Sequence, residues 1–132
     1  MQSIQKQYNL GNFYTAKHFA ERHINGKQAV FSCWLLSELY QNERSPFFQF
    51  DSAYAYAKKA WLISETIKKW NRYPPELNSH ICAQRSELIQ EQWNRLQQKP
   101  SLTNFRIFLS EGRFLSDTLR AQIQIQYEKL FL

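Results

Sequence analysis

Apolar side chains recur at three- and four-residue intervals along most of this chain, between short polar or proline-bearing stretches, and that rhythm predicts helices. Asn12 caps the first amphipathic run, whose stripe of Phe13, Ala16, Phe19, Ala20 and Ile24 ends at Asn25-Gly26. A second run, Lys27 to Asn42, is apolar around nearly its whole circumference from Ala29 to Tyr40. Such a helix needs neighbours on every side, so it is assigned the centre of the fold. "ERSP" breaks it, because Pro46 disfavours helical geometry at Ser45. Asp51 or Ser52 then caps a third helix expected to reach Trp70, where "YPPEL" stops it. Pro75 suits the first turn of a fourth helix that runs to Gln98 and is closed by Pro100.

The last third reads in two ways. Ser101 caps a fifth segment broken at Gly112, and Ser116 caps a sixth that ends the chain. Against this, "FRIFLSEGRFL" also fits a small β-hairpin near 105–115, and "QIQIQ" alternates with period two. Helical spacing of Leu119, Ile123 and Leu130 favours helices. The fold expected is all-α: a compact bundle of five or six helices in a single domain over 1–132, with 1–11 as a flexible lead-in. "WNR" occurs shortly before a proline at both 70–72 and 93–95, but no repeat period is sustained.

An α-helix turns about 100° per residue, so each face can be projected. In the third helix, Ala53, Tyr56, Ala60, Ile63, Ile67 and Trp70 gather on one side, taken as the core face. Tyr54 and Trp61, two turns apart, then project to the opposite side among Lys58, Glu65, Lys68 and Lys69. Between 58 and 72 there are five basic residues, ending at Arg72, against the single acid Glu65. Uncovered rings among cations suit a protein partner, because aromatic residues and arginine anchor interfaces. They equally suit single-stranded nucleic acid, where rings stack on bases and lysines hold phosphates. The plain alternative is that another element of the domain covers both rings. Lys17, His18 and Arg22 make a smaller basic patch on the first helix.

Two charged residues sit on apolar faces. Glu38 stands within the greasy second helix, and Arg85 falls on the stripe of the fourth formed by Leu77, Ile81, Leu88, Ile89 and Leu96. They are expected to form a semi-buried ion pair, or else Arg85 buries only its aliphatic stem.

Composition narrows the function. The chain has 17 Lys and Arg against 11 Asp and Glu, a net charge of +6, which favours anionic partners. Cys33 and Cys82 lack a CxxC companion and read as free thiols in a reducing compartment. The start "MQSIQKQYNLGN" carries no apolar leader, and no apolar run approaches the ~18 residues of a membrane span, so a cytoplasmic protein with no membrane association is expected. Nucleophile-elbow, phosphate-loop and zinc motifs are missing, and His18 and His23 diverge by about 140°, too far to share a metal. No metal site and no cofactor is therefore expected. A helix-turn-helix reader is excluded because its second helix would be apolar all round. The reading is a non-enzymatic adaptor, inhibitor or assembly partner that docks on an acidic surface. A nucleic-acid-binding accessory protein with little sequence preference is the alternative, and a homodimer through the second helix is compatible with either.

Overall fold

In a computed structural model, which describes residues 2–132, seven α-helices and two 3-10 turns follow one another, with no strand among the described residues. In order they are α1 (Gln2–Asn9), α2 (Phe13–Arg22), α3 (Ala29–Gln41), α4 (Phe50–Ser64), a 3-10 turn at Trp70–Arg72, α5 (Leu77–Gln98), α6 (Leu102–Ser110), a second 3-10 turn at Gly112–Phe114, and α7 (Asp117–Phe131). The all-α expectation stands, but the helix count of five or six is low. None of the seven is long and apolar enough to cross a membrane. Packing divides the chain into two compact units, one ending at Arg85 and one beginning at Ser86, so the division falls inside α5.

The extra helix comes from the residues read as a lead-in. They are no loose tail: α1 occupies 2–9, and Met1 alone lies outside the described residues. Tyr8 ties α1 down, since its hydroxyl donates to the Glu38 carbonyl at 3.4 Å and accepts from the Asn42 amide at 3.2 Å. Burial pushes this phenol above its usual pKa. Gly11 turns the chain into α2 with φ +86°, a left-handed conformation that costs glycine nothing. Asn12 precedes α2 as expected, but its side-chain amide reaches back to Gln7 rather than capping the helix.

In the N-terminal unit α3 is buried at every position from Val30 to Ser37 and again at Leu39. Its central assignment follows from that. Packed on it, α4 presents Ala53, Ala57 and Ala60, all 0% exposed, spaced at i, i+4 and i+7. Alanines there let the two backbones approach closely enough for the Ser37 hydroxyl to donate to the Ala53 carbonyl at 2.7 Å. The helix stops at Ser64, six residues short of the expected end at Trp70. The hydroxyls of Ser64 and Thr66 donate to the carbonyls of Trp61 and Ile63, both at 2.7 Å. The Trp61 carbonyl shares its bond with the Glu65 N–H, and Ile63 accepts the Thr66 N–H in a tightened last turn while the Ile67 N–H goes to Ser64.

In the C-terminal unit the interior is aromatic. Trp93 of α5 meets Phe105 edge-on (6.0 Å) and Phe108, and Phe105 meets Phe131 of α7 at 5.5 Å. Ser101 and Ser116 cap α6 and α7 as expected, accepting the backbone N–H groups of Asn104 and Leu119. The alternative of a β-hairpin near 105–115 is overturned, for that stretch is the rest of α6 and the 3-10 turn that Gly112 opens.

Candidate binding surface

The expected ring-bearing face of α4 does not exist. Tyr54 is only 9% exposed and Trp61 is fully buried, their rings meeting edge-on at 5.6 Å. The error is one of rotation. The stripe that packs is centred on Ala53, Ala57 and Ala60, which places Tyr54 and Trp61 on its flank, about 100° from Ala53. Tyr56 and Ile63, assigned to the core, fall on the other flank and are half-buried. Lys58 lies over the Tyr54 ring, 5.8 Å from its centroid, and is itself half-buried.

Lys68, Lys69 and Arg72 leave the α4 surface altogether, because the helix ends before them. They stand exposed in the segment that carries the 3-10 turn, around a half-buried Trp70 whose ring meets Tyr73 at 5.6 Å. None of the three side chains has an ion-pair or hydrogen-bond partner among the described residues. The Tyr73 hydroxyl reaches the Lys27 carbonyl at 3.5 Å, the outer limit of a hydrogen bond, so exposed Lys27 borders the same segment. The predicted site thus divides: its rings are interior, and its last three cations form a separate basic edge.

The smaller patch on α2 divides as well. His18 and Arg22 are exposed, but Lys17 is engaged with Glu21 at 2.7 Å and lies over the Phe47 ring. The Glu21 hydrogen bond holds the Lys17 ammonium above its usual pKa. Around Lys17 the structure gathers rings that sequence reasoning missed. Tyr40 and Tyr56 stack at 5.6 Å, Lys59 lies over Tyr56, and exposed Tyr14 meets Phe47 edge-on at 5.0 Å. An alanine-centred reading of α4 would have placed Tyr56 at this boundary.

Glu38 is met from α5 by Gln84, whose side-chain amide donates to its carboxylate at 3.0 Å and to the Trp34 carbonyl at 3.2 Å. Gln84 precedes Arg85 by one residue and is 2% exposed, so the buried polar contact rests on a neutral amide that the sequence did not single out. Arg85 is half-buried.

A cleft of about 490 Å³ lies where the start of α5 faces α3 and α1. Phe31, Trp34 and Leu77 supply apolar walls, Pro74 and Pro75 a rigid edge, and Gln5 and Asn9 a rim of amides. His80 stacks on Trp34 with ring centroids 5.6 Å apart and planes 19° from parallel, and its Nε2 stands 3.5 Å from the Glu76 carboxylate. The Trp34 indole N–H is buried without an acceptor among the described residues. Compared with protein-family models, with curated proteins and with solved structures, the chain gives no significant match to any.

Proposed function

We propose that this protein is a non-catalytic binding module that docks on an acidic protein surface through its basic edge. One observation carries the reading: Lys68, Lys69 and Arg72 are exposed, lie within five residues, and spend none of their charge on a carboxylate among the described residues. Exposed cations with internal partners add little to an anion's binding, whereas unengaged ones retain their full attraction and steer encounter. The half-buried Trp70 beside them supplies the kind of ring that anchors interfaces. We also place Glu38 and Arg85 in one semi-buried pair beside Gln84, with a structural role only.

A second reading keeps the same edge and exchanges the partner. The Trp70–Tyr73 ring pair next to three free cations would suit single-stranded nucleic acid, the rings stacking on bases. Fluorescence anisotropy with labelled poly-glutamate and with an oligo-thymidine, each at low and moderate salt, separates the two. The first reading expects binding to the acidic polypeptide that is lost on Lys68→Glu, Lys69→Glu, Arg72→Glu triple substitution. Preferential binding of the oligonucleotide, weakening steeply with salt, would establish the second. Binding to neither would remove both.

A further inference from the structure

The basic edge and the cleft are neighbours along the chain. Arg72 is two residues from Pro74, hence within about 7 Å of the cleft edge at full extension. The 3-10 turn compacts 70–72 to about 2 Å per residue, which keeps Lys69 within about 15 Å of the same proline. The cleft falls in the size range of ligand pockets, about 300–1,000 Å³, and most of its wall is apolar. Glu76, the one carboxylate among the described residues that line it, is largely exposed and stands 3.5 Å from His80 Nε2 at the rim, outside the apolar wall formed by Phe31, Trp34 and Leu77.

We propose that the cleft receives an apolar side chain of a peptide whose neighbouring residues are acidic. The anchor lies against Phe31, Trp34 and Leu77, and the flanking Asp or Glu residues meet Arg72, Lys69 and Lys68. This rests on the reading of the basic edge as an acid-binding surface, and it adds what that edge alone does not supply, namely selection among acidic segments. The rim fits a peptide better than a small apolar molecule. Gln5 and Asn9 are amides, which pair with peptide groups, and Gln5 already donates to Asn9 in the manner of a preorganised rim.

The test uses short fluorescein-labelled peptides and the whole chain. One peptide carries a phenylalanine between runs of glutamate, a second replaces that phenylalanine with serine, and a third keeps it but replaces every glutamate with glutamine. The anchored acidic peptide is expected to bind about tenfold or more tightly than the serine peptide. Asn9→Trp, which fills the rim from an exposed position, should erase that advantage, so that the phenylalanine and serine peptides bind the variant equally. Lys69→Glu with Arg72→Glu should weaken both acidic peptides. Equal affinity for the phenylalanine and serine peptides overturns the cleft's role while the basic edge survives. Equal affinity for the glutamate and glutamine peptides overturns the acidic partner. Failure of all three to bind removes the reading beneath both. The peptide comparisons need no variant protein, so misfolding of Asn9→Trp cannot mask the result.

Discussion

The tripeptide Trp-Asn-Arg occurs once in each compact unit, and the two copies have opposite fates. In the C-terminal unit Trp93 is 5% exposed inside α5, packed on Phe105 and Phe108, and Arg95 bonds Glu91 one turn earlier at 3.1 Å. In the N-terminal unit Trp70 sits half-buried in a 3-10 turn, and Arg72 has no ion-pair partner among the described residues. The residue four places before Arg95 is an acid, whereas the residue four places before Arg72 is Lys68. Identical residues become framework where the preceding turn supplies a helix and a carboxylate, and surface where it supplies neither. The same asymmetry runs through the charge: eleven Lys and Arg face six Asp and Glu up to Arg85, and six face five beyond it. The basic surplus belongs almost wholly to the first unit, and the exposed cations of 68–72 are a local concentration of it.

The contrast is most sharply tested through its tryptophans. Trp61→Ala removes a fully buried indole and is expected to cost about 3–5 kcal/mol in urea denaturation, whereas Trp70→Ala should cost about 1 kcal/mol or less. Comparable losses at the two positions would show Trp70 to be framework after all. A smaller effect is expected from the helix caps. Ser116→Ala should lower stability by about 1 kcal/mol, while Asn12→Ala, whose side chain makes no capping bond to α2, should lower it less. Smallest of all, Arg95→Gln should cost about 0.3–0.5 kcal/mol as its helical pair with Glu91 is lost. Arg72→Gln should leave thermal stability unchanged yet weaken binding of the acidic polypeptide. A melting shift from Arg72→Gln equal to that from Arg95→Gln would contradict the division of roles.

Which parts of this were legible in the residues follows a physical line. Some helix ends announced by caps and breakers were readable: Ser101, Ser116, Gly112 and Pro100 act through local backbone geometry, whereas α5 begins at Leu77, two residues past Pro75, and α4 begins at Phe50, ahead of the expected caps Asp51 and Ser52. The central place of α3 was readable because a segment apolar on all sides has few other options. The face of α4 was not. Projection by hydrophobicity weights Tyr56, Ile63 and Ile67 above alanine, but close helix–helix approach is set by the smallest side chains, and Ala53, Ala57 and Ala60 turned the buried stripe toward Tyr54 and Trp61. The end of α4 was missed for a related reason. Ser64 and Thr66 look like ordinary polar surface, while their hydroxyls compete for the carbonyls that would have continued the helix. Helix α1 was hidden by polarity, since Tyr8 attaches it both by its hydroxyl and by its ring against Phe13, within an otherwise polar segment. The cleft joins three elements distant in sequence, and no local pattern encodes it.

The alanine-lined approach of α4 to α3 has a consequence for how the chain acquires its form. Only eight residues, 42–49, separate the two helices, so bringing them together closes a short loop at modest entropic cost. Both are complete by Ser64, near the midpoint of the chain. During synthesis this densest pairing is therefore free to assemble before the residues that follow Ser64 are made.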